Sequence, residues 1–136
     1  MIGVLIITHG YFGQELLQTA QNIVGTQKDA VSISVTSETG IDTLSQAIDA
    51  TFDRFASAEG TLCFVDMLGG TPCNTVMMKT KNRVAEVLTG VNLYMLISAF
   101  THRDQLDLKS LAAKVSDDGK RAIVLPKELL VKRTAS

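Results

Sequence analysis

Hydrophobic and polar positions along the chain switch repeatedly between two periods. Ile2-Gly3-Val4-Leu5-Ile6-Ile7 is a continuous apolar run, the pattern of a strand buried on both faces. Phe12, Leu16, Ala20, Ile23 and Val24 then follow helical spacing, and Gly25 stops that helix. Val31, Ile33 and Val35 alternate with serines and predict a second strand over 31–35. Ile41, Leu44, Ile48, Phe52 and Phe55 form the apolar stripe of a second helix, and Gly60 closes the connection. A third strand over 61–65 is apolar after Thr61 and runs directly into Asp66. Gly69-Gly70-Thr71-Pro72 follows, with Thr71 placed to cap a helix and Pro72 to be its first residue. A short fourth strand over 84–88 is closed by Thr89-Gly90. Asn92 is placed to cap the next helix, with Leu93, Leu96, Ile97 and Phe100 facing inward. Leu108, Leu111, Ala112 and Val115 mark a further helix ending at Gly119. Ala122 to Leu125 predicts a final strand, stopped by Pro126. From Lys127 to Ser136 the pattern is weakly amphipathic, a free terminus or the start of a linker.

Strands alternating with helices imply an α/β fold, a doubly wound and mostly parallel sheet with helices on both faces. The expected strand order is 2-1-3-4 plus the C-terminal strand. In that order the first and third strands are neighbours, and the crevice at their carboxyl ends is the topological switch point.

Composition narrows the function. A chain of 136 residues suits one domain, 1–136, with 46% hydrophobic and 20% charged residues. Aromatic residues are 5% and Trp is absent, so the core must be aliphatic. The net charge of -1 leaves no basic surplus for a nucleic-acid backbone or a polybasic membrane anchor. Cys63 and Cys73 fit no disulfide framework or zinc spacing, which suits a reduced, cytoplasmic setting. Ile2 to Ile7 is too short for a signal peptide, and Val84 to Phe100 is too short and too interrupted to span a bilayer.

Chemistry converges on the predicted crevice. His9 follows the first strand and Asp66 follows the third. A carboxylate that accepts one ring N–H fixes the tautomer and leaves the other nitrogen free as a nucleophile. Gly69 and Gly70 allow close backbone approach and lead into a helix N-terminus, where free N–H groups favour an anion. Thr71 adds a hydroxyl. The set suits phosphoryl transfer through a phosphohistidine, and equally a bound phosphate or carboxylate with no transfer. Each part also has an ordinary structural reading: a strand-end histidine, a turn-forming aspartate and a glycine-rich connection. The other candidates point elsewhere. His102, beside Arg103 and Asp104, reads as part of a solvated helix junction. Cys63 reads as a buried hydrophobe, and Cys73 lies where a helix dipole acts. Met77 and Met78 read as core or subunit contacts, and at least one of Tyr11 and Phe12 as exposed near the crevice. No metal cluster or nucleotide fingerprint is present in the pattern, so no cofactor is expected.

Three segments make a resemblance specific: 6–10 (Ile-Ile-Thr-His-Gly), 64–74 (Phe-Val-Asp-Met-Leu-Gly-Gly-Thr-Pro-Cys-Asn) and 86–96 (Glu-Val-Leu-Thr-Gly-Val-Asn-Leu-Tyr-Met-Leu). With them the chain resembles a IIA component of the mannose-family (mannose/fructose/sorbose) sugar phosphotransferase system. The resemblance implies that His9 accepts a phosphoryl group from phospho-HPr and passes it to a IIB component. That component phosphorylates a sugar entering through membrane IIC and IID components. It also implies that Asp66 pairs with the histidine and that Thr71 hydrogen-bonds near the phosphate. It implies a homodimer in which the strand Ala122 to Leu125 is exchanged between subunits; no IIB domain follows in this sequence, so the IIB partner is expected on a separate polypeptide. Met67-Leu68 stands where some members are more aromatic. Two other readings remain open: the phosphotransfer subunit of a dihydroxyacetone kinase, and a non-catalytic anion-binding or regulatory module.

Overall fold

A computed structural model describes residues 1–135. The elements run β1 (Gly3–His9), α1 (Phe12–Val24), β2 (Ala30–Val35), α2 (Ile41–Arg54), β3 (Thr61–Val65), α3 (Thr71–Lys79), β4 (Ala85–Leu88), α4 (Leu93–His102), α5 (Leu108–Arg121) and α6 (Pro126–Ala135). The four strands form one sheet of order β2-β1-β3-β4, and every pairing is parallel. This is the expected doubly wound arrangement. The register sets Ile7 opposite Val65 of β3, and His9 opposite Val35 of β2. No helix among the described residues is long and apolar enough to cross a membrane.

The apolar run of β1 divides by parity. Ile2, Val4 and Ile6, with Leu62 and Phe64 of β3, face α1, α4 and α5 through Leu17, Ala20, Leu96, Phe100 and Leu111. Leu5 and Ile7, with Cys63 and Val65, face α2 and α3 through Leu44, Ile48, Phe52 and Val76. A strand whose side chains alternate between two helical layers must be apolar at every position. Helices therefore cover both faces, and the central strands are buried between them.

Two expectations at this end of the chain are corrected. Gly119 does not stop α5, which runs on to Arg121. A Cβ at Gly119 would lie 2.5 Å from Met95 Cγ, so the glycine serves the close approach of α5 to α4. Ala122 to Leu125 is not a strand of this sheet. The Ala122 and Ile123 N–H groups are taken by the α5 carbonyls of Asp118 and Lys120, and Pro126 opens α6 directly afterwards. Among the described residues the segment has no ladder partner, and Ile123 is 83% exposed. The stretch after it is helical as far as residue 135, and Ser136 lies outside the described residues.

Arg103 does not belong to a solvated junction either. It is buried, and its guanidinium donates to the Ile2, Asp29 and Lys28 carbonyls and to Gln27 Oε1 at 2.6–3.3 Å. It ties the end of α4 to the amino ends of β1 and β2. Arg103→Met keeps the aliphatic bulk but leaves these acceptors unpaired. We expect it to lower stability by about 2–4 kcal/mol. Thermal or urea unfolding checks this, and a wild-type transition would refute the clamp.

Candidate functional site

His9 is the last residue of β1 and Asp66 the first after β3, so the parallel register brings them together at the carboxyl end of the sheet. The adjoining loop is fixed by Gly10, whose N–H donates to the Val35 carbonyl at 2.7 Å. Asp66 Oδ2 accepts the His9 backbone N–H at 3.0 Å and lies 2.8 Å from His9 Nδ1. Its Oδ1 accepts the Met67 N–H at 3.0 Å. An ionised carboxylate only accepts, so Nδ1 carries the hydrogen and Nε2 presents its lone pair.

The two side chains differ in exposure. The His9 side chain is 47% exposed and that of Asp66 11%. Burial pushes the Asp66 carboxyl upward, but hydrogen bonds from the His9 backbone and ring, together with the ring's charge, hold it below the usual carboxylate range. The pair is thus an open imidazole on a sheltered, firmly ionised carboxylate.

The glycine loop closes the third side. Gly69 has φ +85°, where a Cβ is strained. At Gly70 a Cβ would lie 2.9 Å from His9 Cε1 and 3.4 Å from Nε2, so the backbone approaches the ring where a side chain would push it away. Gly70, not Thr71, is the cap of α3; Thr71 is its first residue, and Pro72 follows inside the first turn. The reason is local: Gly70 has extended ψ (168°) while Thr71 is already helical. The α3 N-terminus carries no side-chain cap and no acidic residue in its first turn. Its free N–H groups therefore favour an anion.

Of the predicted residues, the structure brings His9, Asp66 and Gly70 into one cluster, with Gly69 in the adjoining turn. Thr71 is exposed, and its side chain lines a groove with Ile41, Asn74 and Met78 between α2 and α3. No hydrogen bond joins it to His9 among the described residues.

The remaining candidates fall outside the cluster. His102 ends α4, with Nδ1 2.9 Å from the Ser98 carbonyl oxygen. Cys63 is buried in β3, and burial pushes its thiol up to about 12. Cys73 is also buried. Met77 and Met78 are exposed and are not core residues. Tyr11 and Phe12 at the start of α1, and Met67 and Leu68 in the loop after β3, are all exposed, an apolar collar at the segments that follow His9 and Asp66.

Thr8 was not legible as a site residue. Its buried hydroxyl accepts the Gly13 N–H at 3.0 Å and donates to the Gly10 carbonyl at 3.3 Å, which fastens the segment bearing His9 to the first turn of α1. The available signal was a lone hydroxyl at the end of an otherwise apolar run.

Comparison with known proteins gives a consistent set of matches over most of the chain. The family described as PTS system fructose IIA component matches residues 3–116. The PTS system mannose-specific EIIAB component of Escherichia coli K12 is 29% identical over 127 residues, 90% of this chain. This chain spans only 39% of the length of that protein. The PTS system fructose-specific EIIA component of Bacillus subtilis 168 is 29% identical over 112 residues, covering 82% of this chain and 77% of the relative. Among solved structures, the mannose/sorbose specific IIA subunit from Enterococcus faecalis superposes with a TM-score of 0.83 at 30% identity, covering 91% of this chain and 93% of that one. Component EIIA from Streptococcus agalactiae gives a TM-score of 0.87 at 27% identity, covering 94% and 99%.

Proposed function

Since this chain belongs to the family of PTS system fructose IIA components, we propose that it is a phosphocarrier whose His9 Nε2 takes a phosphoryl group from phospho-HPr and hands it to a IIB component. The observation that carries the reading is the 2.8 Å contact between His9 Nδ1 and Asp66, which leaves Nε2 free beside the Gly70 backbone. The Nε2 lone pair attacks the phosphorus of the donor phosphohistidine in line. The new N–P bond forms as the donor N–P bond breaks, and the donor imidazole keeps the electron pair. Positive charge that develops on the His9 ring lies next to the Asp66 carboxylate. The α3 N–H groups receive the phosphoryl oxygens, joined by the Thr71 hydroxyl once its side chain rotates out of the groove between α2 and α3. Donor and product are both phosphoimidazoles, so the step is reversible and needs no cofactor.

The collar of Tyr11, Phe12, Met67 and Leu68 is where HPr and IIB dock in turn. The IIB component then phosphorylates the sugar that IIC and IID bring through the membrane, with this chain acting from the cytoplasmic side. A homodimer accounts for the exposed Ile123, Val124 and Leu125, which a second copy would cover. Incubation with phosphoenolpyruvate, the general phosphotransferase enzyme and HPr tests the reading. One acid-labile phosphate on the chain is the expected result, and none with active donors would refute it.

Gly70→Ala follows directly. The added methyl enters the space of His9 Cε1 and turns the ring off its line of attack. Phosphoryl uptake falls by about ten- to a hundredfold while the fold is kept. Rapid-quench uptake together with a thermal melt measures both, and wild-type uptake would rule out the close approach as functional.

A further inference from the structure

Asn74 stands on the first turn of α3, yet its side chain reaches back out of the helix. Its Nδ2 donates to the Gly69 carbonyl at 3.2 Å, while its backbone N–H donates to the Gly70 carbonyl at 2.9 Å. It does not cap its own helix, which has no side-chain cap. The peptide between Gly69 and Gly70 is trans, as are all peptides among the described residues. In a planar trans peptide the C=O and N–H point in opposite directions. Holding the Gly69 carbonyl toward Asn74 therefore turns the Gly70 N–H the other way. That N–H has no protein partner among the described residues. Gly70 is also the residue at which an added Cβ would lie 2.9 Å from His9 Cε1 and 3.4 Å from Nε2.

We propose that Asn74 is a positioning residue: by pinning the Gly69–Gly70 peptide it aims the Gly70 N–H at an oxygen of the phosphoryl group carried on His9 Nε2. This rests on the phosphocarrier reading and deepens it. A donor fixed in place before the transfer has no reorientation to make as charge builds on the phosphoryl oxygens. No hydrogen bond joins Asn74 to the His9 ring among the described residues, and its bond to Gly69 lies at the surface. Its removal should disturb the transfer far more than the fold.

The test compares wild type with Asn74→Ala, using phospho-HPr as donor. Three quantities are read: the thermal melt, the rate of phosphoryl uptake, and the displacement of the Gly70 amide proton resonance on phosphorylation. The expected result is a melt close to wild type and uptake slowed roughly tenfold. The Gly70 amide of the wild type moves downfield on phosphorylation, and that movement is largely lost in the variant. Uptake at the wild-type rate overturns the proposal. So does slow uptake with an unchanged Gly70 displacement, because the side chain would then act only as a loop brace. Absence of phosphate on the wild type refutes the phosphocarrier reading itself, which separates that failure from failure of the role given to Asn74.

Discussion

His9→Ala takes up no phosphoryl group under conditions in which the wild-type chain takes up one, and it unfolds at nearly the same temperature. The stability half follows from exposure. The imidazole is nearly half exposed, so its removal empties little packed volume. The Asp66 carboxylate, the more sheltered partner, keeps its backbone donors from His9 and Met67. A change within about 1 kcal/mol is expected. The activity half follows from the lack of a substitute. His102 closes α4, next to Arg103, which binds the amino ends of β1 and β2. It thus lies at the end of the sheet opposite to His9. Intact-mass measurement on both proteins, with melts alongside, checks the pair of outcomes. Phosphate on the variant would place the acceptor elsewhere, with His102 the next residue to replace.

Asp66→Ala gives the second large effect, a fall in phosphoryl uptake by about 10²–10³-fold. The carboxylate does two things at once: it fixes the hydrogen on Nδ1 so that Nε2 is the nucleophile, and it faces the charge that builds on the ring. Without it the ring turns freely and both tautomers are populated. The His9 and Met67 N–H groups also lose their acceptor, so stability falls by about 1–3 kcal/mol at neutral pH. The pH dependence has a defined sign. The Asp66 pKa is depressed in the folded chain. Its contribution is therefore fully present above the unfolded-state value near about 4 and is lost as pH falls through the lower folded value. Stability curves of wild type and variant should be separated at pH 7 and converge on the acid side. Parallel curves over that range would show that the carboxylate is not held by His9. Quenched-flow uptake at pH 7 gives the kinetic half, and a loss of less than threefold would remove Asp66 from the mechanism.

The central pairing was legible because it depends only on strand ends. The apolar run into Thr8-His9 and the shorter one into Asp66 name two strands, and the parallel order makes them neighbours. Asn92 was legible for a similar reason: a side chain that accepts the N–H of a residue three positions on, here Met95, is a local event. What failed was less local. Ala122 to Leu125 has the composition of a strand, but composition cannot supply an edge to pair with, and the α5 carbonyls had already taken its first N–H groups. Thr71 has the chemistry of a cap, yet the helix begins one residue earlier, with Gly70 in extended backbone and Thr71 already helical. Arg103 reads as a surface charge because its acceptors are carbonyls 74 to 101 residues away. No periodicity encodes such a partner.

The central claim is that His9 carries the phosphoryl group on Nε2 while Asp66 keeps the hydrogen on Nδ1. Long-range proton–nitrogen NMR correlation on the nitrogen-15-labelled, phosphorylated chain reads both nitrogens of that ring directly. The account predicts a phosphorylated Nε2 and a protonated Nδ1 on His9, with His102 unmodified. Phosphate on Nδ1 of His9, or on any other residue, would contradict it.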